Sequence, residues 1–202
     1  MAGFGILGGT FDPIHFGHLV LAEKAREACE LAKVILVPAS IPPHKIGQVA
    51  ISAEERFEMV RLAISNHPQF EVSNAEIVRS GPSYTIDTIR QLKKEHPGEE
   101  AFLIMGFDSL LELYTWKDYR QILNETQIIT AFRPGYPVLV NEQQWPEFLR
   151  LCRNKIKLLE APLIDISATW LRQELVNGHS VRYLIPETVR EYIQHRGLYR
   201  NV

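Results

Sequence analysis

Cysteine is scarce in this chain: only Cys29 and Cys152 occur, far apart and with no metal-ligand spacing around either. A disulfide framework and a zinc module are therefore not indicated, and both side chains read as small buried hydrophobes. Long apolar runs are also missing. The short stretches that do occur, such as residues 101–105, fall far short of the roughly 18 residues that span a bilayer. The opening segment MAGFGILGGT has no basic residue, the first positive side chain being Lys24, so a secretory leader is not indicated and a cytoplasmic setting is expected. Neither sign of charge dominates: 22 Lys and Arg stand against 24 Asp and Glu, a net charge of -2, with no long run of one sign. Neither nucleic acid nor an acidic membrane is an expected partner. Internal repeats and low-complexity tracts are absent as well.

What is present is the composition of an ordinary folded chain, 46% apolar and 23% charged. Its 202 residues exceed a typical domain of roughly 150 by a little, so a single domain over residues 1–202 is expected. Short β-branched or aliphatic runs at 4–7, 34–39, 70–73, 101–105, 127–132 and 156–159 predict buried strands. Helical spacing lies between them. His18, Ala22, Ala25 and Cys29 share one face, and Ser52 with Glu55 has capping-box spacing ahead of Phe57, Val60 and Ile64. Ile86, Ile89 and Leu92 form a third stripe, while Pro186 at a first helical position and Gly197 past the end bracket a last helix. Residues 134–145 carry no pattern and read as a loop. His67, His96, His179 and His195 fall near predicted helix ends and read as capping or surface groups.

Strands alternating with helices, through connections too long for hairpins, predict an α/β fold: a Rossmann-like, doubly wound parallel sheet with helices on both faces. Ligands of such sheets bind outside the carboxyl ends of the strands, which directs attention to residues 8–18, 42–45, 106–108 and 165–172. The first of these begins GGTFDPIHFGH, a glycine-rich turn opening a helix, where unpaired N–H groups and the positive helix end receive an anion such as phosphate. It has neither the G-x-G-x-x-G spacing of a dinucleotide fingerprint nor the G-K-[ST] ending of a P-loop, so hydride transfer and Walker-type hydrolysis lose their support. Instead it has His15 and His18, three apart at a helix start, so that both rings can face one ligand and donate to phosphate oxygens. A cap paired with a core histidine, and a metal pair, are the other readings; no third ligand stands at convincing spacing, and no metal site is assigned.

GGTFDPIHFGH resembles the signature of the nucleotidylyltransferase superfamily, and within it that of the bacterial nicotinate mononucleotide adenylyltransferases. The resemblance extends over nearly the whole chain. A second superfamily motif, Ile-Ser-Ser-Thr followed two residues later by Arg, stands here as ISATWLR, from Ile166 to Arg172, with Ala168 in place of the second serine. Ser167 suits a helix cap, and Arg172, one turn in, offers a guanidinium fork to phosphate. The resemblance implies that Gly8, Gly9, Thr10 and Phe11, with Gly106 and Asp108 after the fourth strand, surround ATP; Phe107 is bulkier than the family's usual small residue between the latter two. It also implies that PSYTIDT, through Ser83, Tyr84 and Thr85, receives the nicotinate carboxylate and that Trp116 stacks on the pyridine ring. Lys45 is the implied basic contact to substrate phosphate, and Arg133, beside Pro134 at the end of the fifth strand, is a further phosphate candidate by its guanidinium.

The implied reaction is attack by the 5′-phosphate of nicotinate mononucleotide on the α-phosphorus of ATP, giving nicotinate adenine dinucleotide and pyrophosphate in NAD biosynthesis. A phosphate monoester has a second pKa of about 6, so the attacking oxygen is largely ionised near neutrality and no enzyme nucleophile is required. His15, His18 and Arg172 are the implied catalytic residues, acting on the triphosphate, with magnesium carried in by ATP. Nicotinamide mononucleotide, pantetheine phosphate and a cytidylyl donor are the alternatives within the superfamily, and a nucleotide-binding module without turnover is the alternative outside enzymes. A homo-oligomer is left open.

Overall fold

The expected strands are all present, their ends displaced by at most two residues: β1 Phe4–Gly9, β2 Lys33–Pro38, β3 Phe70–Val72, β4 Ala101–Gly106, β5 Gln127–Ala131 and β6 Ile156–Leu159. The structure is a computed structural model that describes residues 3–41, 49–131, 145–159 and 164–200. All five strand pairings are parallel and the order is β3-β2-β1-β4-β5-β6. The chain winds outward from β1 to β3, then returns to the other side of β1 with β4. That reversal leaves a crevice at the carboxyl ends of β1 and β4, where Gly8, Gly9 and Gly106 lie.

Side chains alternate across the strands and so divide the core in two. Leu7, Val34, Leu36 and Ile104 point to one face, where they meet Ala22 and Ala25 of α1 (Phe16–Ala28), Met59 and Val60 of α2 (Ala53–Ala63), Leu171 of α8 (Ala168–Val176) and Val189 and Ile193 of α9 (Glu187–Arg196). Phe4, Ile6, Ile35, Val37 and Leu103 point to the other, against Ile86, Ile89 and Leu92 of α4 (Thr85–Glu95) and Ile122 of α6 (Tyr119–Glu125). Short helices α3 (Ala75–Val78), α5 (Phe107–Leu111) and α7 (Glu147–Leu151) complete the order among the described residues. None of the helices there is long and apolar enough to cross a membrane.

Three local expectations are corrected. On α2 the buried positions are Arg56, Met59 and Val60, with Phe57 only half-buried, so the inward stripe carries a guanidinium. The Ser52–Glu55 box closes on one side only: Ser52 Oγ accepts from the Glu55 amide at 3.2 Å, but the Glu55 carboxylate turns away to Arg196 and to the Tyr192 hydroxyl, tying α2 to α9. Pro186 is the N-cap of α9 rather than its first residue, while Gly197 ends that helix with a φ of 63°, a left-handed conformation that glycine adopts without strain. The unpatterned stretch expected at 134–145 lies outside the described residues except for Trp145, which is buried.

Candidate active site

A cleft of about 730 Å³ opens at the crevice between β1 and β4. One wall is the turn after β1. Here His15 is the N-cap of α1, 6% exposed, and its ring stacks on that of His18 with centroids 3.7 Å apart. The His15 amide donates to Nδ1 of His18 at 3.3 Å. A neutral imidazole that accepts at Nδ1 carries its proton on Nε2, so this bond makes Nε2 a donor suited to a phosphate oxygen. Phe11, 1% exposed, packs its ring edge-on against His18 at 5.0 Å and supports it from behind. Gly17 is required by proximity: a Cβ there would lie 3.0 Å from Nδ1 of His15 and 3.1 Å from the Ile164 carbonyl oxygen. A Cβ at Gly8 or Gly106, by contrast, would meet nothing within 4 Å and would project into open space.

The opposite wall is the start of α8. Ser167 caps it, accepting from the Trp170 amide at 3.4 Å, and Ala168 leaves the helix intact in place of serine. One turn on, Arg172 donates to the main-chain oxygen of Asp12 at 2.8 Å and to Thr169 Oγ1 at 3.3 Å. The third wall holds Ser83, Tyr84, Thr85 and Trp116. Ser83 is spent on scaffolding: its hydroxyl accepts from the amides of Ser40 and Ile41, and its own amide donates to Ile41. Thr85 opens α4 and lines the cleft, at a helix start where main-chain N–H groups can receive an anion. Trp116 is half-buried, packed against the second core face along one side.

Every expected site residue within the described residues lines this cleft: Gly8, Gly9, Thr10, Phe11, His15, His18, Gly106, Asp108, Ile166, Ser167 and Arg172 on the first two walls, and Ser83, Tyr84, Thr85 and Trp116 on the third. Lys45 and Arg133 lie outside the described residues. Phe107 is 3% exposed and sits in the core against Trp145, so its bulk is absorbed there.

Other residues of the site went unnoticed in the sequence. Arg56, 1% exposed, donates to the carbonyl oxygens of Thr10 at 2.7 Å, Ser40 at 3.2 Å and Ile51 at 3.4 Å, binding the turn after β1 to that after β2. Burial holds its guanidinium below the usual arginine range, while the Asp12 carboxylate works in the opposite sense. Its place at i, with Met59 and Val60 at i+3 and i+4, was the available signal. Lys117 stands with Nζ 4.2 Å above the Tyr84 ring and 3.5 Å from Asp87. Glu76, 7% exposed, lines the cleft and accepts from Thr88 Oγ1 at 2.6 Å.

The sequence profile of the cytidylyltransferase-like family matches residues 6–174, which takes in both histidines, the capped helix start and Arg172. A protein of Moorella thermoacetica bearing the name "Probable nicotinate-nucleotide adenylyltransferase" is 46% identical over 197 residues, covering 97% of this chain and 91% of its own. The chain belongs to the nicotinate-nucleotide adenylyltransferase family. A second relative of that name, from Desulfitobacterium hafniense (strain Y51), is 43% identical and covers 97% of this chain and 95% of its own. Among solved structures, the Plasmodium falciparum nicotinic acid mononucleotide adenylyltransferase complexed with NaAD superposes with a TM-score of 0.79 at 20% identity, over 98% of both chains. At that identity the likeness shows the shared doubly wound fold, and the family membership rests on the closer sequences.

Proposed function

We propose that this chain transfers the adenylyl group of ATP to nicotinate mononucleotide, giving nicotinate adenine dinucleotide and pyrophosphate, and that residues 1–202 work as a single nucleotidylyltransferase domain. The carrying observation is one cleft that joins the stacked pair His15 and His18, the anchored fork of Arg172 and the first-turn amides of α4 beside Trp116. Two anionic groups and two flat rings would be met there by complementary parts.

In this reading His15, His18 and Arg172 take the triphosphate, where negative charge grows on the bridging oxygen as the α-phosphorus is transferred. Thr10 and Phe11 supply main chain around the phosphates, and Gly9 and the bare faces of Gly8 and Gly106, with Asp108, Ile166 and Ser167, border the adenosine. Thr85 and Tyr84 with Trp116 take the pyridine carboxylate, and Lys45 and Arg133 the phosphate of the mononucleotide. The attacking phosphate oxygen needs no base, so the chain's contribution is alignment and charge compensation. Magnesium enters as part of the ATP substrate. Both oxygens of Asp12, the buried carboxylate nearest the triphosphate residues, already accept hydrogen bonds from Ala50 and Tyr199, which fits an ion held by phosphates rather than by a resident carboxylate cage. The setting proposed is the cytoplasm, with the two nucleotides as partners.

The test is pyrophosphate release from ATP with each mononucleotide in turn. Release with nicotinate mononucleotide well above that with nicotinamide mononucleotide, pantetheine phosphate or CTP as donor is expected. Equal release with the amide would remove the assignment of the α4 amides, and none with any acceptor would overturn the reading.

A further inference from the structure

Asp12 is 2% exposed, and an ionised carboxylate so buried persists only where its charge and lone pairs are met. Three distant parts of the chain meet them. The Ala50 amide donates to Oδ2 at 2.8 Å, and the Tyr199 hydroxyl, 187 residues away in sequence, donates to Oδ1 at 2.7 Å. One guanidinium nitrogen of Arg172 donates to the Asp12 main-chain oxygen at 2.8 Å and stands 3.8 Å from Oδ2, a loose ion pair too long for a hydrogen bond. The carboxylate is therefore turned toward the hydroxyl and the amide, and the arginine fork, whose other terminal nitrogen donates to Thr169 Oγ1, lines the cleft.

Tyr199 is held in place with unusual constraint. It is 2% exposed and has a φ of 63°, a left-handed conformation that a residue with a Cβ disfavours; Phe11, next to Asp12, has a φ of 50°. Burial first, and Asp12 second, push the phenol well above its ordinary range, so it remains a donor. Were the hydroxyl absent, Arg172, already in a loose ion pair with Oδ2, would be drawn tighter onto the orphaned carboxylate and away from the cleft.

We propose that Tyr199 is a positioning residue for adenylyl transfer: by holding the Asp12 carboxylate, its hydroxyl keeps the Arg172 guanidinium aimed at the triphosphate of ATP. The proposal rests on the reading above.

The experiment measures ATP affinity by calorimetry, and pyrophosphate release alongside it, for wild type, Tyr199→Phe, Arg172→Ala, their double variant and Tyr192→Phe. Tyr199→Phe should weaken ATP about tenfold, leaving nicotinate mononucleotide affinity as it was. In the Arg172→Ala background it should have no further effect on ATP. Tyr192→Phe, which removes the hydroxyl bond to Glu55 in the same C-terminal region, should leave ATP affinity unchanged. Ala50→Pro removes the other anchor of the carboxylate and should weaken ATP in the same way, which serves where Tyr199→Phe fails to fold. Unchanged ATP affinity in the anchor variants, additive losses in the double variant, or an equal loss with Tyr192→Phe would overturn the proposal. Wild type that binds ATP but releases no pyrophosphate overturns the adenylyl-transfer reading alone, the binding cycle still deciding on Tyr199; wild type that binds no ATP overturns both.

Discussion

The rings of His15 and His18 lie 3.7 Å apart and 25° from parallel, and the amide of the first donates to Nδ1 of the second at 3.3 Å. The pair is held together by stacking and by the backbone of the turn, which sets the proton of His18 on Nε2. His18→Ala removes that donor and is expected to lower turnover roughly a hundredfold with the fold retained, as typical for one electrostatic donor. Steady-state pyrophosphate release beside a circular dichroism spectrum measures it. A normally folded variant with an unchanged rate would remove His18 from the chemistry.

Gly17 stands close to the His15 ring and the Ile164 carbonyl, so that a methyl group there would press on both at 3.0–3.1 Å. Gly17→Ala should displace the ring by a few tenths of an ångström and lower kcat on the order of tenfold, with little change in melting temperature. If kcat holds while stability collapses, the glycine serves packing alone.

Trp116 has one side on the core and the other on the cleft. If its indole stacks on the pyridine ring, Trp116→Ala weakens nicotinate mononucleotide and spares ATP in equilibrium binding. Equal losses for both ligands would assign it to packing.

Arg56 serves three carbonyl oxygens and faces the Asp12 charge from within the core. Arg56→Met leaves all of these without their donor and should cost about 3–5 kcal/mol in urea unfolding. A loss below about 1 kcal/mol would mean that water or neighbouring groups take over its role.

Glu55 is held below the usual carboxylate range, first by Arg196 and then by the Tyr192 hydroxyl, whose own pKa is pushed up to about 12, chiefly by burial. A carboxyl depressed by folding contributes stability above its unfolded pKa, and that contribution is lost as the pH falls through its folded value. Glu55→Gln should therefore melt below wild type near neutrality and converge with it in acid. Melting curves that differ equally at all pH values would show that the charge contributes nothing.

Much of this was legible in the chain because it depends on neighbours in sequence. Alternation of aliphatic runs with helical stripes predicts strands and helices, and the glycine turn with two histidines declares an anion site, since both follow from local backbone geometry. The same local logic misassigned Glu55: Ser52 called for a reciprocal box, but partners on α9 offered the carboxylate a charge as well as a hydrogen bond. Ser83 lines the cleft, as its motif implies, and its hydroxyl and amide also hold the 40–41 turn, a task with no local signal. Such choices depend on which distant groups compete.

By itself the sequence determined the repeating strand-and-helix plan, the glycine-rich turn after β1 and most of the residues that line the cleft. Only the tertiary structure decided the strand order, and with it that the ends of β1 and β4 adjoin and that Asp12 is closed over by Tyr199, Ala50 and Arg172. The physical reason is that spacing along a chain encodes which face a side chain takes, whereas a buried charge is satisfied by whatever donors packing brings within about 3 Å, however far away they stand in sequence.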